Sequence, residues 1–293
     1  MNYIGVNGVP TPSTEAVLSV MDHGFMYGMG LFETFRTYGG QPFLLERHLD
    51  RLRNGCRSLG IRYPQQLDQL GLEIKELLHL NHLQDGYIRL TVSAGEGPLG
   101  LPSEDYETPT IIIYVKALPS MDPQLYQKGK ALWRLKTPRN TPEGEIRLKS
   151  LHYMNNMLAK RELREYTQQT AGDFEGLQLT AEGILAEGIV SNLCFVQDGG
   201  LYTPAVGTGI LPGITRAFIL ELAGQLGIAV EEGYYEWDRL KQADEIFVTN
   251  SIQEAVPVTR LYEPGGSSYM VGSGRIGPIT GILLEQYRQK AGK

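Results

Sequence analysis

Lys149 stands where an extended stretch, Glu145-Ile-Arg-Leu-Lys149, gives way to an amphipathic run, Ser150-Leu-His-Tyr-Met-Asn-Asn156. A lysine at a strand end that faces a cavity is desolvated, which favours its neutral form and makes the amine nucleophilic enough to form an imine. Alone, such a residue is more often an ordinary surface lysine. Glu187 opens Glu187-Gly-Ile-Val-Ser-Asn192, a turn leading into an apolar strand over 193–196. A carboxylate there can pair with a protonated pyridine nitrogen, or be no more than a turn glutamate. Leu211-Pro-Gly-Ile-Thr-Arg216 opens a helix. Free amides at a helix amino terminus beside a hydroxyl suit a phosphate, although Thr215 as a simple N-cap fits the same pattern. Ser251 follows a strand over 246–248 and offers a further hydroxyl, and Arg51 carries a guanidinium able to fork onto phosphate oxygens or to lie on a helix surface.

The elements that would position these residues follow from periodicity. Residues 3–7 read as a short strand ending in an Asn7-Gly8 turn. Residues 31–38 are apolar and rich in β-formers, Gly39-Gly40 closes them, and 41–45 read as the hairpin partner. From Glu46 the period becomes helical, with Leu49, Leu52, Cys56 and Leu59 on one face and Gly60 as the stop. A second helix is expected over 65–80, then strands at 86–93 and 110–115. Residues 117–130, with two prolines and a glycine, read as a linker. Beyond it, short strand-like runs at 131–136, 177–180, 190–196 and 246–249 are interrupted by helices at 151–166 and 215–226. The expected class is α+β. A small α/β domain spans 1–117, a linker 118–130, and a larger barrel-like mixed β domain with outer helices 131–293.

The bulk numbers exclude several classes. The 293 residues suit two domains or one large one, and 42% hydrophobic with 20% charged residues is ordinary for a globular protein. Net charge is −6, with no Lys/Arg run that would form a nucleic-acid footprint. Cys56 and Cys194 lie far apart outside any CxxC pattern, which fits a reducing cytoplasmic setting. No signal peptide is read in the first ten residues, and the apolar run 111–115 is far too short to span a bilayer. P-loop, HExxH and GxSxG motifs are absent, and no metal site is expected. A GxGxxG at Gly272, Gly274 and Gly277 has no room for a following βαβ unit and reads as a glycine-rich turn before the last helix.

Five segments, in this order, resemble the fold-type IV family of enzymes that use pyridoxal 5'-phosphate (PLP). They are Phe32-Glu-Thr-Phe-Arg36, His48-Leu-Asp-Arg51-Leu52, Lys149-Ser-Leu-His-Tyr-Met-Asn-Asn156, Glu187-Gly-Ile-Val-Ser-Asn192 and Pro212-Gly-Ile-Thr-Arg216. That family contains branched-chain aminotransferases, D-amino-acid aminotransferases and 4-amino-4-deoxychorismate lyases. The resemblance implies PLP as cofactor, Lys149 as Schiff-base lysine and proton shuttle, and Glu187 as partner of the pyridine nitrogen. It implies Arg51 as the phosphate arginine, and Ile214 and Thr215 as an amide cup for phosphate that Ser251 and Ile252 complete. It also implies a homodimer.

The opening run from Asp22 to Arg36 is most similar to the lyases, and Thr34 occupies a position where branched-chain aminotransferases carry glycine. The lyase reading has Lys149 take the proton from the substrate ring carbon that bears nitrogen, pyruvate depart, and 4-aminobenzoate form, a step of folate biosynthesis. Thr34 is its candidate for protonating the departing group, and Arg89 and Tyr27 are its candidate substrate contacts. Tyr87-Ile-Arg89 also resembles the branched-chain enzymes, so an aminotransferase on the same scaffold remains the alternative.

Overall fold

The computed structural model describes residues 1–64, 66–120, 122–168 and 172–293. Two compact units divide it, one of residues 1–120 with 148–152, the other of residues 121–147 with 153–291.

The first unit follows its hydrophobic pattern closely. Strands β1 (Tyr3–Val6) and β2 (Val9–Pro12) form a hairpin, and helix α1 (His23–Tyr27) precedes β3 (Gly30–Tyr38) and a two-residue β4 (Gln41–Pro42). Helices α2 (Leu45–Ser58) and α3 (Leu67–Leu80) come next, then β5 (Tyr87–Ser93) and β6 (Thr110–Lys116). The six strands make one antiparallel sheet in the order β2-β1-β6-β5-β3-β4. Its inward residues Leu31, Phe35, Ile88, Leu90, Val92, Ile113 and Val115 pack with Leu49, Leu52, Cys56, Leu70, Ile74, Leu77 and Leu78 of the two helices. Leu31 and Phe35 of β3, and Ile88, Leu90 and Val92 of β5, meet the core at even spacing, the period-two pattern of a strand with one face on a core. The hairpin partner expected over 41–45 shortens to two residues. Leu44 takes a left-handed backbone (φ 55°) and turns the chain at once into α2. The expected start of the second helix at Gln65 lies outside the described residues.

The second unit contains α4 (Leu125–Lys128), β7 (Lys130–Arg134), α5 (Met154–Thr167), β8 (Phe174–Leu179), β9 (Leu185–Gly188), β10 (Asn192–Gln197) and β11 (Gly200–Pro204). There follow α6 (Ile214–Gln225), β12 (Val230–Gly233), α7 (Trp237–Lys241), β13 (Glu245–Asn250), β14 (Glu254–Tyr262), β15 (Ser268–Met270) and α8 (Pro278–Ala291). Their nine-stranded sheet runs β12-β11-β10-β13-β14-β7-β8-β9, with β15 paired to β14 off this path, and a pairing of β9 with β10 closes six of these strands into a ring. Buried Trp133 stacks with the partly buried Tyr166 and Tyr262, at centroid distances of 5.1 and 4.5 Å, beside Leu135, Ala159, Leu163 and Ile189.

Two boundaries differ from the sequence reading. The expected linker is structured at its end: Leu125 and Tyr126 are buried in α4, and Gly129 (φ 68°) turns the chain into β7. Within that linker, Met121 lies outside the described residues. The helix expected from residue 151 begins at Met154, because residues 149–151 are extended and hydrogen-bond to β3. That pairing draws 148–152 into the first unit rather than the second domain to which the expected boundary assigned them. The glycines of the GxGxxG run lie in the connection from β15 to α8. Among the described residues no helix is long and apolar enough to cross a membrane.

Candidate active site

In the first unit the chain around Lys149 behaves as an extra edge strand. The Phe32 amide donates to the Lys149 carbonyl at 2.9 Å, the Leu151 amide to the Gly30 carbonyl at 3.0 Å, and Leu31 bridges Ser150. This antiparallel register sets Lys149 opposite Phe32, so both side chains emerge on the same face. The Lys149 ammonium lies 4.5 Å from the centroid of the Phe32 ring, and the Arg89 guanidinium 3.7 Å from it. Both are cation–π distances. Thr34, two residues along, shares this face and pairs in register with Arg89 of β5. Thr34 is the one residue of β3 that keeps partial exposure. The structure thus brings together Lys149, Thr34 and Arg89.

Glu33 points from the opposite face of β3 toward α2. Its carboxylate is 1% exposed and accepts from His48 Nδ1 at 2.7 Å, from Arg51 Nε at 2.8 Å and from Arg51 Nη2 at 2.7 Å. Burial pushes the Glu33 carboxyl up, but the charges and hydrogen bonds of Arg51 and His48 outweigh it and hold it at about 2. Burial dominates for His48, pushing it below its ordinary value against the pull of Glu33. Arg51, read as the phosphate arginine, therefore has one edge of its guanidinium forked onto Glu33. Tyr27 ends α1. Its hydroxyl accepts from the Gly100 amide at 3.0 Å and its carbonyl accepts from His152 Nε2 at 3.1 Å.

In the second unit Glu187 belongs to the one residue pair, Glu187 with Asn192, through which β9 meets β10. The carboxylate is buried. Arg139 Nε donates to its Oε1 at 2.8 Å, while Asn192 Nδ2 and the Leu211 amide donate to its Oε2 at 3.2 and 3.0 Å. Arg147 stands 3.9 Å from Oε1 and is itself anchored on the carbonyls of Gly209 and Asn140. Burial, with the neighbouring Arg139 charge adding to it, pushes Arg147 down to about 10. Arg139 is fixed in turn by the side-chain oxygens of Asn140 and Asn155, at 3.1 and 2.8 Å.

Helix α6 begins at Ile214 with no side-chain cap, so Thr215 is inside the helix rather than its N-cap; Gly213 holds that position. Thr215 Oγ1 lies 3.2 Å from Ser251 Oγ, bringing two of the expected phosphate hydroxyls together. The Ile252 amide donates to Asn250 Oδ1 at 3.0 Å, an engagement that a phosphate would have to share.

These residues fit PLP. A carboxylate offers about four acceptor positions, and the three donors on Glu187 leave room for one more, as a pyridinium N–H requires. The buried hydroxyls of Ser191 and Thr249 have no protein partner among the described residues, and Thr249 sits in register with Asn192. A Cβ on Gly213 would collide with Asn192 Oδ1, so the turn before α6 leaves no space for a side chain. The uncapped amides of α6 suit phosphate.

A closed mixed barrel carrying an arginine-held carboxylate at its seam, with an uncapped helix terminus, marks a PLP enzyme of fold type IV. Comparison with known proteins narrows this: the chain belongs to the class IV amino-transferase family, which matches residues 30–261. Aminodeoxychorismate lyase of Bacillus subtilis (strain 168) is 43% identical over 262 residues, 89% of this chain and 87% of that protein. The crystal structure of 4-amino-4-deoxychorismate lyase from Pseudomonas aeruginosa superposes with a TM-score of 0.82 at 34% identity, covering 98% of each chain. The T.th. branched-chain amino acid aminotransferase with pyridoxamine 5'-phosphate gives 0.85 at 29% identity, covering 99% of this chain and 94% of that one. The family is PLP-dependent, so this chain is a PLP enzyme, related to both lyases and aminotransferases.

Sequence reasoning named Glu187 but missed the groups that hold it, Arg139 and Arg147. Arg139 sits between Pro138 and Asn140 in a segment without periodicity, and nothing local marks it as buried. Glu33 and His48 were quoted within motifs without a role. The i, i+3 spacing of His48 and Arg51 on a helix was the available signal.

Proposed function

We propose that this enzyme converts 4-amino-4-deoxychorismate to 4-aminobenzoate and pyruvate. The observation that carries the reading is the Thr34 hydroxyl on the face of β3 that also presents Lys149 and Arg89. The similarity to the Bacillus subtilis lyase supports it. In this reading Lys149 anchors the cofactor and Glu187 holds the proton of its ring nitrogen. Arg51, Ile214, Thr215, Ser251 and Ile252 bind its phosphate. Bound PLP supplies an electron sink for the charge left when a proton is removed next to the substrate nitrogen. The Lys149 amine accepts that proton from the ring carbon, and the enol-ether carbon–oxygen bond breaks as the ring becomes aromatic. Thr34 stands to deliver a proton to the departing pyruvate unit, and Arg89 and Tyr27 contact the substrate, Arg89 through a carboxylate.

The proposal extends to a cytoplasmic homodimer in folate biosynthesis. Exposed Met154, Met157 and Leu158 on one stripe of α5 support a partner surface.

The test is product analysis. Purified enzyme given aminodeoxychorismate is expected to release 4-aminobenzoate without any added keto acid. A branched-chain or D-amino acid with 2-oxoglutarate is expected to give little glutamate. Fast glutamate formation and no aminobenzoate would establish the aminotransferase instead, the reading that Tyr87-Ile-Arg89 favours.

A further inference from the structure

The contacts of Glu33 reach past the roles already assigned. It is buried on the helix side of β3, where the sheet otherwise presents Leu31 and Phe35 to an apolar core. A carboxylate there is costly unless every acceptor position is used. His48 Nδ1 takes one oxygen, and both Arg51 donors fork onto the pair. Arg51 lies in the middle of α2 and its side chain is 17% exposed, enough for a long arginine to choose many rotamers. The fork removes that freedom. It fixes the plane of the guanidinium and which edge faces inward.

We propose that Glu33, itself held by His48, is a positioning residue that pre-orients the Arg51 guanidinium for the cofactor phosphate. The inference rests on the reading of Arg51 as the phosphate arginine. Glu33 never touches the cofactor; it acts through Arg51. Two effects oppose each other. The negative carboxylate offsets part of the arginine's attraction for phosphate, whereas orientation spares the phosphate from ordering a mobile side chain. The two-point fork and the near-complete burial of Glu33 favour orientation, because a carboxylate offering only charge would not need both oxygens aligned on Arg51.

The test compares PLP with pyridoxal, which lacks the phosphate. The full-length protein is stripped of cofactor, and dissociation constants for both aldehydes are measured by absorbance. The variants are E33Q, E33D, R51A and the double variant E33Q/R51A. The preference for PLP over pyridoxal is expected to fall about tenfold or more in E33Q, with pyridoxal affinity unchanged. E33D keeps the charge but shortens the reach, and is expected to lower the same ratio; it also serves if E33Q does not fold. R51A is expected to lower the ratio at least as far, and the double variant to match R51A, because Glu33 has nothing to orient once Arg51 is gone. A loss in R51A with none in E33Q or E33D, or a stronger PLP preference in E33Q, overturns the positioning role. An unchanged ratio in R51A removes the phosphate reading of Arg51 and the proposal with it.

Discussion

Lys149 and Phe32 face each other across two extended segments, with the lysine ammonium 4.5 Å from the centre of the ring. The contact follows from backbone register, since Phe32 donates its amide to the carbonyl of the residue whose side chain covers it. A nucleophilic lysine on a strand is held more firmly than one on a loop, because its Cα direction is set by the sheet. Borohydride reduction of the holoenzyme followed by peptide mass analysis is expected to find the cofactor on Lys149. K149A is expected to be colourless and inactive. Retained yellow colour and turnover in K149A would place the anchor elsewhere.

Arg139 is expected to matter far more to stability than a surface arginine. Its side chain is 7% exposed and its partner Glu187 6%, whereas the Arg62–Glu107 pair is 70% and 66% exposed. Breaking a buried pair leaves an uncompensated charge and costs ~3–5 kcal/mol. An exposed pair contributes ~0–1 kcal/mol. Denaturant unfolding of R139A and R62A should separate them by that margin; equal midpoints would mean that water or another donor reaches Glu187.

The Glu33–His48 pair predicts acid sensitivity in two windows. Burial holds His48 below 6.5 in the folded state, so the unfolded chain takes up that proton first. Stability from this group is present above about 6.5 and is lost as pH falls. The Glu33 carboxyl is depressed from 4.5 to about 2, so its contribution is complete above 4.5 and disappears as pH falls toward 2. That second contribution is on the order of 3 kcal/mol. Urea midpoints of the wild type are expected to drop between pH 5 and pH 3, with a clearly shallower drop in E33Q. Parallel curves would show that the carboxyl is not depressed.

Gly213 is expected to tolerate no side chain. Its backbone is ordinary (φ −70°), so strain is not the reason. The obstacle is Asn192 Oδ1, whose amide nitrogen bonds both Glu187 and the Leu211 carbonyl. G213A is expected to push that amide aside and weaken PLP retention by about tenfold or more, roughly the loss of one or two hydrogen bonds to a charged group. Equilibrium dialysis of the cofactor measures it; wild-type retention would show that the turn can shift as a unit.

The sequence by itself determined the α+β class and most strand and helix positions, and it named the candidate site residues. Local signals carried these: apolar, β-rich runs at 31–38 and 110–115, helical period after Glu46, and glycine and proline punctuation before α6. Register and closure belonged to the tertiary structure. The helix read from Leu151 starts only at Met154, because hydrogen bonds to Gly30 and Phe32, more than a hundred residues away in sequence, hold 149–151 extended. Arg51 had the type of a ligand arginine, and only the approach of β3 to α2 forked it onto Glu33. Arg139 became the holder of Glu187 because the second unit's sheet closes at Glu187 and Asn192, a pairing between strands that no periodicity announces. Period and propensity are properties of neighbours along the chain, whereas ion pairing of a buried charge depends on which segments the core brings within hydrogen-bonding distance.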